Sequence, residues 1–185
     1  MKQTALLIVD FQNDYFSTFE GAKFELEGTE NASNNASQIL ELFRKNQGNI
    51  IHVKHESPKG APFFEIGTQG AKIHQSVQPQ DTEVIITKKF PNSFKDTNLK
   101  EILDELDIKS LIIVGAMSHM CIDATIRAAK DFGYECTVIS DAIATRDLQF
   151  GDIVVPSKYV HAAFMAALEF AYARIKTTSE ILKGL

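Results

Sequence analysis

Short continuous runs of apolar residues alternate along the chain with segments in which apolar residues recur every three or four positions. The runs are typical of strands buried on both faces, and the recurrent spacing is typical of amphipathic helices. The pattern predicts strands at 5–9, 49–54, 83–87, 111–114, 135–140 and 175–177. It predicts helices at 33–47, 98–106, about 119–132, 157–174 and 179–183.

The alternation of strands and helices predicts an α/β fold in which helices cover both faces of a parallel sheet. The sequence shows no internal repeat and no linker, so we expect one domain over residues 1–185. The connection between residues 55 and 81 is rich in glycine and proline. Connections of that length in compact domains are often functional.

The stretch 111–134 combines a strand, a turn and a helix. Four apolar residues end at Val114, Gly115 allows a sharp change of direction, and helical spacing begins near His119. Cys121 then lies in the first turn of the predicted helix, where the helix dipole favours a thiolate. We therefore expect Cys121 to be partly ionised near neutral pH. The alternative is a buried cysteine that packs as a small apolar side chain.

Reactive side chains follow three of the predicted strands: Asp10, Lys88 and Cys121. Ligands of open α/β sheets bind beyond the carboxyl ends of the strands. A carboxylate, an ammonium and a thiol at that edge would supply a proton acceptor, a stabilising charge and a nucleophile. Each residue also has a structural explanation, as a turn residue, a solvated charge or core filling. The pattern alone does not choose between Lys88 and Lys89.

Charge and composition exclude several classes of protein. The net charge of −5 leaves no basic surface of the kind that nucleic-acid-binding proteins carry. No apolar run approaches the roughly 18 residues that would predict a membrane span, and the first strand is not followed by a G-x-G-x-x-G dinucleotide motif. The N-terminal apolar run is too short for a signal peptide. With two cysteines and no export signal, we expect a cytoplasmic protein with free thiols.

At these same residues the chain resembles the isochorismatase-like cysteine hydrolases, a superfamily that includes nicotinamidases, N-carbamoylsarcosine amidases and streptothricin hydrolases. The resemblance extends over essentially the whole chain. The motifs that carry it are LLIVDFQNDYF at 6–16, IITKKFPNSFKDTNL at 85–99, IIVGAMSHMCIDATIRAAKDFGYECTVISDAIATRDL at 112–148 and VHAAFMAALEFAYARIKTTSEIL at 160–182.

The resemblance implies a three-layer α/β/α sandwich with a six-stranded parallel sheet of order 3-2-1-4-5-6. It also implies a catalytic triad of Asp10, Lys88 and Cys121, and it selects Lys88 because the family's lysine lies six positions before a phenylalanine, here Phe94. The implied oxyanion hole consists of the backbone N–H groups of Met117 and Cys121, with a cis peptide bond between residues 116 and 117.

The implied reaction is hydrolysis of an amide or ureide C–N bond through a thioester on Cys121. One alternative is vinyl ether hydrolysis of the isochorismatase type, which does not need the cysteine; another is a non-catalytic interaction module. We expect no cofactor and no metal, because the metal-binding Asp-x-His of nicotinamidases is missing after the second strand. The candidate substrate-binding residues are Gln12, Phe16, His55, Phe64 and Phe94.

The expected partners are a small-molecule substrate and further copies of the chain. The predicted helix 157–174 carries apolar residues around more of its circumference than one core contact requires. Related proteins commonly form dimers or larger assemblies. We therefore expect a homodimer or homotetramer, and no membrane or nucleic-acid partner.

Overall fold

In the computed structural model, which describes residues 2–184, a parallel sheet of six strands lies at the centre of the molecule. The described residues also contain a separate pair of strands. In chain order the eight strands of residues 2–184 are β1 (Thr4–Val9), β2 (Asn49–His55), β3 (Val84–Lys88), β4 (Ser110–Ala116), β5 (Glu135–Ala144), β6 (Leu148–Phe150), β7 (Ile153–Val155) and β8 (Ala173–Lys176). The separate pair consists of β6 and β7. The sheet order is β3-β2-β1-β4-β5-β8. The predicted order is confirmed, because β8 is the sixth strand of this sheet.

Helices cover both faces of the sheet, as the alternating pattern predicts. They are α1 (Thr29–Lys45), α2 (Leu99–Glu105), α3 (Asp123–Asp131), α4 (Ser157–Ala171) and α5 (Thr178–Gly184). The apolar residues of α1 and α5 belong to the core on one face, and those of α2, α3 and α4 belong to the core on the other. The molecule is therefore the expected three-layer α/β/α sandwich.

The first strand shows how the apolar runs build both cores. Leu6 and Ile8 point into the core beneath α1, whereas Leu7 and Val9 point into the opposite core. None of the four is more than 2% exposed. Burial of such a side chain contributes roughly 1.5–3 kcal/mol, so both faces of β1 favour its central position.

The carboxyl ends of β1 and β4 approach each other closely at Gly115. Gly115 is the register partner of Val9 and has a φ of 138°. A Cβ atom at this position would lie 2.0 Å from the carbonyl oxygen of Val9. Only glycine fits there without a shift of the backbone, and Asp10 directly follows Val9.

Two features at the end of the sheet differ from the predicted elements. The strands β6 and β7 form an antiparallel hairpin that the predicted elements lack. Cys121 lies in a π-helical turn, Ser118–Ile122, and the regular helix α3 begins only at Asp123. Among residues 2–184, no helix has both the length and the apolar character needed to cross a membrane.

Candidate active site

Three strands bring the predicted triad to one edge of the sheet. Asp10 follows the last residue of β1 and has a left-handed backbone conformation, with a φ of 55°. Lys88 is the last residue of β3, and Cys121 lies in the turn that follows β4. The exposed fractions are 0% for Asp10, 1% for Lys88 and 6% for Cys121. Lys89, the alternative lysine, is exposed.

The ammonium of Lys88 bridges the carboxylate and the thiol. Its Nζ is 2.7 Å from Asp10 Oδ2 and 3.1 Å from Cys121 Sγ. Asp10 Oδ1 has no hydrogen-bond partner among the described residues. This carboxylate oxygen therefore keeps its lone pairs for a proton from a neighbouring donor.

Burial and the neighbouring charges set the resting protonation of the site. Burial raises the pKa of the Cys121 thiol, the Asp10 carboxylate raises it further, and Lys88 opposes them without outweighing them. Burial disfavours the charge of Lys88, but Asp10 and Cys121 outweigh it and raise the pKa of Lys88. These directions favour a charged ammonium and a neutral thiol in the resting site. The raised pKa of the thiol runs against the expectation of a partly ionised Cys121 near neutral pH, because a thiolate would add a second buried anion beside Asp10.

His55 is the fourth polar residue of the cluster. It is the register partner of Lys88 in the β2–β3 pair, and its Nδ1 lies 3.1 Å from Lys88 Nζ. The potential metal ligands of Asp10, His55 and Cys121 lie within 4.8 Å of one another. Lys88 Nζ lies between these atoms, so a cation could bind them only after the ammonium had moved away.

Gln12, a candidate substrate contact, uses its side chain to hold the backbone near His55. Its Oε1 accepts the His55 N–H at 2.7 Å, and its Nε2 donates to the carbonyls of His55 at 2.8 Å and Ala71 at 2.7 Å. Gln12 is 0% exposed. In this structure it therefore joins the end of β2 to the following connection, and both of its N–H groups are already used.

The three candidate aromatic residues lie in different surroundings. Phe16 is fully buried and stacks on His74, with the ring centroids 3.6 Å apart. Phe94 packs on aromatic rings in the core beneath α2 and α3. Phe64 is buried with its ring centroid 6.2 Å from that of His55. Of these three rings, the structure brings Phe64 near the triad through His55.

Tyr15 is a neighbour of the triad that the sequence reasoning did not single out. Its ring centroid lies 4.5 Å from that of Phe64. Burial raises the pKa of Tyr15 well above its ordinary value, and the charges of Asp10 and Cys121 raise it further. The hydroxyl therefore lies within electrostatic reach of both groups. The one signal in the sequence was its position in DFQNDYF, five residues after Asp10.

The backbone between β4 and the cysteine has the form that the resemblance implies. The peptide bond between Ala116 and Met117 is cis. The carbonyl of Met117 accepts hydrogen bonds from the N–H groups of Met120 and Ile122, at 3.0 and 3.3 Å. These contacts shape the turn that carries Cys121.

The two remaining histidines near this turn bind hydroxyl groups. Ser118 Oγ lies 2.9 Å from His161 Nδ1, and His119 Nδ1 lies 2.7 Å from Thr145 Oγ1. Burial lowers the pKa of both histidines. These contacts tie the turn to α4 and to the end of β5.

Known proteins resemble this chain over nearly its full length. Residues 4–178 match the family model of the isochorismatase domain. The crystal structure of a candidate isochorismatase hydrolase from Oleispira antarctica has a TM-score of 0.97 and 54% identity, over 99% of this chain and 97% of that one. YddQ of Bacillus subtilis (strain 168), an uncharacterized isochorismatase family protein, is 47% identical over 97% of this chain and 99% of its own.

A more distant relative has a name that states an activity. A streptothricin hydrolase from Streptomyces noursei is 30% identical over 78% of this chain and 50% of its own length. The match to the family model over residues 4–178 includes β1, β3 and β4 entirely, and therefore the buried cluster at the end of the sheet. On this similarity, the chain belongs to the isochorismatase family of hydrolases.

Proposed function

We propose that this protein is a cysteine-dependent hydrolase that cleaves a C–N bond of a small amide or ureide through a thioester on Cys121. One observation carries the proposal: Lys88 Nζ lies 2.7 Å from Asp10 Oδ2 and 3.1 Å from Cys121 Sγ. A buried thiol beside a carboxylate and an ammonium has its proton acceptor and its stabilising charge in place. The relative described as a streptothricin hydrolase supports a hydrolytic reaction.

In the first half of the reaction, Cys121 Sγ attacks the carbonyl carbon while the thiol proton passes to Asp10. The new S–C bond converts the carbonyl oxygen into an oxyanion, for which the N–H groups of Met117 and Cys121 are the proposed donors. The C–N bond then breaks, and the amine leaves with the proton that Asp10 had received. The acyl group remains on Cys121 as a thioester.

In the second half, a water molecule attacks the thioester carbonyl and gives a proton to Asp10. The S–C bond breaks, the acid is released, and Cys121 recovers its proton. Lys88 remains a cation throughout and balances the negative charge on whichever of Asp10 and Cys121 carries it. Vinyl ether hydrolysis would leave the buried thiol without a role, so the thiol beside Lys88 favours the thioester route.

The proposed substrate contacts are His55 and Phe64. His55 borders Lys88, and Phe64 lies against His55. Gln12 holds His55 in position through hydrogen bonds to the His55 backbone. Phe16 and Phe94 act in the proposal as packing residues, since each is engaged with other rings in a core.

A panel of amides, ureides and N-carbamoyl compounds, with release of ammonia or amine as the readout, tests the proposal. The wild-type protein is expected to hydrolyse at least one member, and Cys121→Ala is expected to hydrolyse none. Cys136→Ala is the matched control, because Cys136 is also buried, at 4% exposure, but lies in β5. Intact-mass spectrometry after rapid acid quench should detect the acyl adduct on Cys121. Hydrolysis that survives in Cys121→Ala would overturn the proposal.

A further inference from the structure

The contacts of Lys88 determine which ring nitrogen of His55 carries a proton. An ammonium group has three N–H donors and no lone pair. Three acceptor atoms surround Lys88 Nζ: Asp10 Oδ2 at 2.7 Å, Cys121 Sγ at 3.1 Å and His55 Nδ1 at 3.1 Å. Because Lys88 can only donate, His55 Nδ1 must accept with its lone pair. A neutral imidazole then has its proton on Nε2.

Burial and the Lys88 ammonium both favour a neutral His55 ring. The titratable groups that face the ring are Lys88, Asp10 and Cys121. Burial and Lys88 lower the pKa of His55, and Asp10 opposes them without outweighing them. A second proton on Nδ1 would also point an N–H group at the ammonium, which has no lone pair to accept it.

The ring is held in place from its backbone, and its outer nitrogen is free. Gln12 accepts the His55 N–H at 2.7 Å and donates to its carbonyl at 2.8 Å. The half-buried ring lies against Phe64. Within residues 2–184, Nε2 of His55 has no hydrogen-bond partner. This atom is not fully buried, unlike the unpaired Oδ1 of Asp10. A fixed N–H donor therefore faces accessible space beside the triad.

We propose that His55 is a substrate-binding residue whose Nε2–H donates a hydrogen bond to the substrate, and that Lys88 holds it in this donor form. The inference rests on the proposed function and narrows its substrate class. It favours an amide or ureide with an acceptor lone pair near the scissile carbonyl, on a carbonyl, carboxylate, hydroxyl or ring nitrogen. A substrate with only an N–H group at that position would place one donor against another.

Nuclear magnetic resonance of ¹⁵N-labelled protein tests the donor form directly. Long-range ¹H–¹⁵N correlations at pH 7 are expected to show protonated Nε2 and unprotonated Nδ1 in His55. In Lys88→Met the single tautomer is expected to be lost and the pKa of His55 to move upward, because the cation beside Nδ1 is gone. Lys89→Met is the control and should leave both unchanged. An Nδ1–H tautomer or an imidazolium in the wild-type protein at pH 7 would overturn the inference.

Two variants separate the inner acceptor of His55 from its outer donor. In His55→Asn the carboxamide oxygen can take the place of Nδ1, and in His55→Gln the carboxamide nitrogen can take the place of Nε2. His55→Asn is expected to alkylate at Cys121 with iodoacetamide within about twofold of wild type, and to lose roughly tenfold in kcat/KM on a panel substrate. His55→Gln should lose less in kcat/KM and change the alkylation rate more.

The outcomes distinguish this inference from the proposed function. Wild-type kcat/KM in His55→Asn, with Cys121→Ala inactive, would refute the substrate contact and leave the thioester mechanism standing. Hydrolysis that survives in Cys121→Ala would refute the mechanism, whereas the tautomer of His55 is measured without any substrate.

Discussion

At the scale of single residues, sheet geometry decides which of two adjacent lysines reaches the site. Residues 84, 86 and 88 of β3 point to one face, where Ile86 joins the core, and Ile85 on the other face is 49% exposed. Strand parity therefore sends Lys88 inward and Lys89 outward. The pattern of the residues left both open, because it does not reveal which face of an edge strand is covered. The family resemblance selected Lys88.

We expect Lys88→Met to lose at least about 100-fold in kcat/KM, because the cation that stabilises the anionic intermediates would be gone. Lys89→Met is the matched control and should stay within about twofold, since Lys89 is exposed. Steady-state kinetics on a panel substrate measure both. Equal losses in the two variants would show that the register of β3 relative to the site is wrong.

The raised pKa of the Cys121 thiol predicts slow alkylation at neutral pH. The reaction with iodoacetamide should accelerate as the pH rises from 6 to beyond 9, because the thiolate is the reactive form. At pH 7 it should be slower than that of glutathione. Asp10→Asn should react faster than wild type at that pH, because the carboxylate raises the pKa of Cys121.

Peptide mapping assigns this label to Cys121 or Cys136. Burial also raises the pKa of Cys136, to about 11, so both thiols are expected to alkylate slowly at neutral pH and the peptide map is needed to tell the two labels apart. A Cys121 rate that is already at its plateau by pH 6.5 would mean that the thiol proton rests on Asp10 in the unliganded protein.

At the scale of elements, the apolar runs predicted the parallel strands β1 to β5, whereas β8, ARIK, is not an apolar run. Local turn chemistry explains why the hairpin was missed. The β6–β7 hairpin turns at Gly151–Asp152, a glycine-first dipeptide that is typical of a two-residue hairpin loop. The segment before it, Leu148–Phe150, contains a glutamine and so does not form an apolar run.

Helix α1 begins at Thr29, before the predicted start at residue 33. Thr29, Ala32 and Ser33 are all buried, but only Ala32 is apolar, so the hydrophobic pattern did not reveal the first turn of the helix. Strand β5 continues to Ala144 through an irregular register with β4.

The close approach of β1 and β4 makes Gly115 a site of strong sensitivity. We expect Gly115→Ala to destabilise the protein by about 2–4 kcal/mol, since it adds a clash with Val9 to the penalty for a positive φ. Gly133→Ala is the control, because Gly133 has a φ of 90° and a Cβ added there would meet no atom within 4 Å. It should cost about 1 kcal/mol.

Urea unfolding measures both variants, and kcat/KM should fall in Gly115→Ala alone because Asp10 follows Val9. Equal destabilisation would mean that the strands separate freely at this point and that only the backbone conformation matters.

At the scale of the whole molecule, large apolar side chains are exposed along α4 and the β6–β7 hairpin. Phe170 is 93% exposed, Phe150 87%, Ile153 65% and Tyr159 58%. Large exposed apolar side chains are enriched at protein–protein contacts. The sequence predicted a second copy of the chain from α4, but it did not predict the hairpin, whose Phe150 and Ile153 are also exposed.

We expect light scattering at micromolar concentration to give the mass of a dimer or tetramer. Combined Phe150→Glu and Phe170→Glu substitutions should shift the mass toward the monomer, because they place charges where apolar contact is expected. Ile85→Glu is the control, since Ile85 is likewise an exposed apolar residue, at 49%, but lies on β3 at the other edge of the sheet. A monomeric wild-type protein would contradict the prediction.

The position of β3 at the edge of the sheet has a consequence for the thermal inactivation of the protein. An edge strand has one hydrogen-bonded neighbour, here β2, and such elements open at a lower free energy than interior ones. When β3 opens, it carries Lys88 away from Asp10 and Cys121, which follow interior strands. On heating, inactivation should therefore precede the loss of helical circular dichroism. Hydrogen exchange at residues 84–88 should rise at the same temperature as inactivation. The protein would then lose its activity while most of its fold is still intact.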